Sequence, residues 1–258
     1  MKLFLYVFLI FSVADLFPQD DSTSVDSTGV DSTTVEYDLF SVKLKDNFLR
    51  VFSDQGSLIF SQEFQHPVFT TADLDSDAID EYILIDYRIT DQKKDYTIYI
   101  YNTIDTFYCV DSILSGFYEP YVFYSEEVKG NVIITGIPGF NEFNIGKTDN
   151  ITLPLNVWRY GENGITLINN EIYDLFMSEN DTVVDDLDEY FNSNIKNCNS
   201  SLKVNNLIAS GYINYKNAGD ISVANQFLLK YYLCPDILDF KTKIENLILT
   251  DNLSHSVH

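Results

Sequence analysis

The segment RVFSDQGSLIFSQEF, residues 50–64, alternates apolar and polar side chains, breaks at Asp54-Gln55-Gly56, and alternates again. That is the pattern of two β-strands joined by a tight turn. The same layout returns in YIYNTIDTFYCVDSI, residues 99–113, and in VWRYGENGITLINNEI, residues 157–172. The first two copies are followed by a Pro-aromatic strand, HPVF at 66–69 and EPYVF at 119–123. EYILID at 81–86 and NVIITG at 131–136 then occupy equivalent places. The repeating unit is therefore about fifty residues and four strands, the size of a propeller blade.

Two full units and most of a third can be counted, fewer than the roughly four to eight blades of a closed propeller. Three arrangements stay open: an open arc, closure through partner chains, or a β-sandwich with regular hairpins. The fold class expected is mainly β with a C-terminal α-helical segment.

Composition agrees with a folded β-body. The chain has 258 residues, of which 45% are apolar and 15% aromatic, mostly Phe and Tyr. Its 39 acidic and 16 basic side chains leave a formal charge of −23. Such a surface repels nucleic-acid phosphates and anionic headgroups, so no nucleic-acid partner is expected.

The N-terminus, MKLFLYVFLIFSVADLF, reads as an export signal. Lys2 is the positive start, Leu3 to Phe11 the apolar run, and Ser12-Val13-Ala14 the cleavage site. Residues 1–14 are thus assigned to a signal peptide, with an uncleaved anchor as the alternative. The run is too short to cross a hydrocarbon core of about 30 Å, and no later segment is long enough, so no stable membrane insertion is expected after cleavage. Localisation is expected to be secreted, periplasmic or at the cell surface.

Residues 15–35 contain DSTSVDSTGVDSTTV, three Asp-Ser-Thr-x-Val units without an aromatic. They offer little surface to bury, and 15–35 is read as a disordered linker. The β-repeat body is assigned to 36–176 and a helical segment to 177–258. In the latter, Asn180 or Asp181 is the expected N-cap of a first helix. Two further helices meet at Ala218-Gly219-Asp220, Pro235 follows the second, and a last helix covers 239–250. Through Gly211, Tyr215, Gly219, Ala224 and Phe227, the middle pair resembles a single tetratricopeptide unit over 205–236. One such unit cannot cover its own apolar face, so packing against the β-body is expected.

Among the cysteines, Cys109 falls in an apolar strand pattern and is expected to be buried, while Cys198 and Cys234 could pair after export. No metal or redox Cys-x-x-Cys occurs.

One loop departs from simple alternation. TTADLDSDAIDEYILID, residues 70–86, places Asp73, Asp75 and Asp77 at loop positions 1, 3 and 5, Ile79 at 7 and Glu81 at 9. Alternation would turn those carboxylates, and the carbonyl of Ile79, toward one point. Like charges there repel unless a hard cation such as Ca2+ takes their oxygens. An EF-hand is excluded, because position 12 is Leu84 and a strand follows instead of a helix.

From Phe64 to Ile89 the stretch resembles the FG-GAP/VCBS-type repeat, an Asp-x-Asp/Asn-x-Asp-Gly-x-x-Asp/Glu loop followed by an apolar strand. The resemblance implies blades of an integrin-like propeller in an extracellular binding protein. It also implies a metal set of Asp73, Asp75, Asp77, Ile79 and Glu81. The family's Gly at position 6 is Ala78 here, which costs about 1–2 kcal/mol if the turn is left-handed.

No catalytic constellation stands out. His66 precedes Pro67 at a strand start, and His255 and His258 lie in the tail. Glycine-elbow, zincin and phosphate-loop motifs are absent. The function expected is exported, non-catalytic binding or adhesion toward an unidentified protein or ligand. The alternatives are an assembly component that closes its repeats as a homo-oligomer, and a small hydrolase using two carboxylates.

Overall fold

The computed structural model describes residues 32–37, 39–90, 92–140, 152–161, 164–193, 198 and 201–254. The expected signal peptide and residues 15–31 of the expected linker lie outside them. Among the described residues, twelve strands form three four-stranded antiparallel sheets, and four helices follow.

The first sheet comprises β1 (Ser32–Glu36), β2 (Phe40–Lys45), β3 (Phe48–Ser53) and β4 (Leu58–Glu63). The second comprises β5 (Val68–Ala72), β6 (Glu81–Thr90), β7 (Lys93–Asn102) and β8 (Tyr108–Gly116). The third comprises β9 (Tyr121–Ser125), β10 (Gly130–Gly136), β11 (Leu155–Gly161) and β12 (Gly164–Leu167). Each sheet takes its strands in chain order, and none closes on itself. The repeated hairpins are the third and fourth strands of each sheet, and the Pro-aromatic segments become β5 and β9.

β1 corrects the linker assignment. The third Asp-Ser-Thr-x-Val unit pairs with β2, Thr33 opposite Leu44 and Val35 opposite Val42. Thr and Val suit a pleated strand, and Val35 packs on the core shared by the first two sheets. That anchorage comes from β2 and is invisible in the local composition. With β1 in place the first unit is complete. The β2–β3 turn is Asp46-Asn47, both at positive φ (52° and 64°), as a two-residue hairpin requires.

Period-2 alternation lets the middle sheet bury both faces. Tyr82, Leu84 and Tyr101 point to the first sheet, joining Phe40, Val42, Leu49 and Val51. Ile83, Ile98 and Ile100 point the other way, to Ile133, Trp158 and Tyr160 of the third sheet. The far face of the third sheet, Val132, Ile134, Leu155 and Val157, meets Ile168, Ile172 and Phe176 at the start of the helical segment. The order of layers is first sheet, second sheet, third sheet, helices.

The helices are α1 (Tyr173–Ser193), α2 (Leu202–Asn217), α3 (Ile221–Tyr231) and α4 (Ile237–Ser254). α1 begins before the expected caps at Asn180 and Asp181. The reason is long-range: the Glu127 carboxylate, from the β9–β10 turn, accepts the N–H groups of Tyr173 (2.7 Å) and Asp174 (3.2 Å). A carboxylate there satisfies two orphan donors and suits the helix dipole. Asn180 is instead fully buried and donates to the Gly211 carbonyl at 3.3 Å.

The α2–α3 pair has its junction at 218–220, and Asp220 caps α3 through the Val223 N–H. Gly211 lies against Phe227, so close that a Cβ would stand 2.5 Å from the ring. α2 grips the β11 end of the third sheet by polar contacts. Asn214 accepts the Leu155 N–H (3.2 Å), Asn217 donates to the Leu155 carbonyl (2.8 Å), and Ser210 donates to the Thr152 carbonyl (2.7 Å).

Cys198 and Cys234 form a disulfide that ties the start of α2 to the end of α3. Cys109, expected in the core, is exposed. It sits on β8, the last strand of its sheet, where no fifth strand among the described residues covers it. Among the described residues, no helix is long and apolar enough to cross a membrane.

Candidate metal centre

The acidic loop joins β5 to β6, and its two ends are held by the ladder that pairs Ala72 with Glu81. Within it, Asp73, Asp75 and Glu81 each offer a carboxylate oxygen, all within 4.8 Å of one another. Two ligands of one calcium ion, each at about 2.4 Å, can stand no farther apart than about that distance.

Glu81 is 0% exposed. Its Oε2 accepts the Leu74 N–H at 2.9 Å, while Oε1 is buried without a hydrogen-bond partner among the described residues. Burial pushes its carboxyl up to about 7, the charges of Asp75 and Asp77 push the same way, and the Leu74 N–H opposes them. Asp75 is also raised, first by burial and then by Asp77. A buried carboxylate oxygen facing two further acids is costly as an anion and well placed as a hard-cation ligand. The donor set is all oxygen and so fits calcium.

The Asp77 carboxylate does not join the trio. Asp77 is exposed, and its Oδ1 accepts the Ile79 N–H at 2.8 Å. Ser76 and Ala78 both lie in the left-handed region, at φ 67° and 72°. Two such residues break the alternation that would have aimed the Asp77 carboxylate inward. Asp73 meanwhile accepts the N–H groups of Asp77 and Ala78, both at 3.1 Å, which fixes the turn.

Ala78 therefore bears the conformational cost expected of a non-glycine residue here. Ala78→Gly removes that strain but loosens the unfolded chain, for a net gain of about 0.5 kcal/mol. A melting temperature raised by a degree or two would be the readout; an unchanged or lower one would mean the turn is unstrained.

Two braces escaped sequence reasoning. Asn131, on β10 of the neighbouring sheet, donates to the Asp73 carbonyl at 2.8 Å. Thr103, just after β7, donates to the Asp80 carbonyl at 2.7 Å. They lie 58 and 23 residues from their acceptors, so no local spacing reveals them. The loop is thus pinned from the third sheet as well as from its own. Tyr37 adds a second buried orphan, its hydroxyl having no hydrogen-bond partner among the described residues. Burial, then the charges of Asp80 and Glu81, raises its pKa. His66 lies apart: its ring stacks on Tyr87 at 4.4 Å and its N–H is held by Asp86.

No family model, curated protein sequence or solved structure matches this chain.

Proposed function

We propose that the chain is an exported, non-catalytic β-repeat binding protein whose β5–β6 loop holds one calcium ion through Asp73, Asp75 and Glu81. The carrying observation is the fully buried Glu81 oxygen without a partner, set among the other two acids. A bound divalent ion would supply that oxygen's missing partner and reverse the repulsion among the three carboxylates.

In this reading the ion serves structure. The same loop is hydrogen-bonded to Asn131 of the next sheet, so fixing the loop also fixes the junction of the second and third sheets. Three in-order, four-stranded sheets, the middle one buried on both faces, support blades arranged in an open arc. The expected export signal and the Cys198–Cys234 disulfide favour work outside the cytoplasm. Extracellular calcium modules work with dissociation constants near ~10⁻⁴–10⁻³ M, so a modest site suffices there.

Calorimetric titration with calcium should give heat with a stoichiometry of one. At ten times the dissociation constant, the ion should add about 1.4 kcal/mol of stability that chelation removes and Asp75→Ala abolishes. An absence of heat together with identical melting curves in calcium and chelator would end the proposal.

A further inference from the structure

Among the described residues, the outer face of the first sheet is where the layers end. The strand registers lay it out in rows: Glu36, Ser41, Phe52 and Leu58; then Thr34, Lys43, Arg50 and Ser61; then Lys45, Phe48 and Glu63. Acids stand only at the margins. The centre pairs Lys43 directly with Arg50 across the strands, a juxtaposition that destabilises a sheet unless something answers it.

Neither cation makes an ion pair among the described residues. Lys43 lies over the Phe52 ring at 6.0 Å and Arg50 over the Phe48 ring at 4.8 Å. Both rings are half-buried, yet neither joins any of the hydrophobic clusters. A groove of about 380 Å³ opens beside Lys43 and Phe52, lined also by Tyr37 and Ser41 and, at its margin, by Glu36 and Asp54. In a chain of charge −23, a basic and aromatic patch at the open end of the layers is an exception.

The opposite end carries the complement. α1 holds seven acids and no base, YDLFMSENDTVVDDLDEYFNS. Asp188 is engaged by Lys230 at 3.6 Å and by the Tyr231 hydroxyl. Asp181 and Asp185 are exposed one turn apart, a like-charge pair that weakens a helix standing alone.

We infer that the outer face of the first sheet docks the acidic face of α1 from a second copy of this chain. The contact is heterologous, one end of the layers on the other, so it builds a ring or a filament according to whether the rotation closes. Overall repulsion from −23 opposes it, but at ~0.1 M salt charges beyond about 10 Å are screened while contacting pairs persist. The contact involves neither the acidic loop nor its ion.

Sedimentation velocity on the full chain tests this at ~0.1 M salt and concentrations up to about 100 μM, where long-range repulsion is screened. Wild type should self-associate, and ~1 M salt should weaken the association at least ten-fold. Lys43→Glu with Arg50→Glu should abolish it, as should Asp181→Lys with Asp185→Lys. Mixing those two double variants should restore a complex, because each reversed face then meets its reversed partner. The substituted side chains sit on outer surfaces, and unchanged melting curves would confirm that the variants fold. A monomeric wild type overturns the inference, as does association that survives the Lys43/Arg50 reversal, or variants that fail to pair. A monomer that binds soluble poly-glutamate through this face would replace the second copy with another acidic partner.

Discussion

Between pH 5 and pH 8, the metal-free protein is expected to lose roughly 3 kcal/mol of stability through Glu81 alone. The folded environment raises this carboxyl from 4.5 to about 7. Between those values the folded chain holds a proton that the unfolded chain releases. Stability therefore falls as pH rises through the window, opposite to the usual behaviour of a paired carboxylate. Asp75 and Glu179 are also raised and add to the same slope, whereas Glu245 is lowered and acts at more acid pH.

Glu81→Gln isolates the contribution, since an amide can still accept the Leu74 N–H and carries no charge. In chelator at pH 8 the variant should be more stable than wild type by about 2–3 kcal/mol, and near pH 5 the two should converge. In calcium the gap should narrow by about 1.4 kcal/mol at ten times the dissociation constant and reverse above roughly 200 times it, because the anion that is costly alone is the ligand. Urea unfolding at several pH values, with and without calcium, gives all four comparisons. Wild-type and variant curves that run parallel in chelator would show that Glu81 is not held in its raised state. Parallel curves in chelator and in calcium together would remove the metal proposal.

That reversal depends on burial, which spacing alone does not reveal. Asp73, Asp75 and Glu81 were legible as a group because both ends of a short loop return to one ladder. Asp77 was misplaced because alternation presumes extended backbone, and Ser76 and Ala78 leave it at positive φ. The strands between 40 and 167 were legible for the converse reason: strict period-2 patterning survives wherever one or both faces are covered. β1 was missed because its unit looks too poor in apolar surface to order itself, and β2 supplies the order. The start of α1 was missed because its cap, Glu127, lies 46 residues away. Cys109 was misjudged because an edge position is a property of the sheet and not of the strand. For β1 and the start of α1, a long-range contact substitutes for a local signal.

The layer order itself yields the other large effect. Tyr101→Ala is expected to cost about 4 kcal/mol, the range of large aromatic truncations in a packed core. The Tyr101 ring is fully buried between the first and second sheets. It stacks on Phe107 at 4.8 Å, meets Phe60 and Tyr82 edge-on at 6.0 and 6.3 Å, and donates its hydroxyl to Gln62 at 3.2 Å. Phe60 and Gln62 belong to β4, so one side chain spans the junction of two layers. Tyr101→Phe keeps the ring and loses only the hydroxyl contact, about 1 kcal/mol.

The loss should also be unevenly distributed. Among the described residues, the first sheet has a covered face only toward the second, whereas the third is held by the second sheet and by the helices. With Tyr101 removed, backbone amides of Val42, Leu49 and Val51 should exchange with solvent well before those of Ile133 and Val157. Hydrogen exchange read residue by residue gives the answer. Uniform loss of protection would mean that the layers unfold as one cooperative unit. A cost below 1 kcal/mol would mean that the junction rests on Phe40, Leu49 and Val51 without the tyrosine.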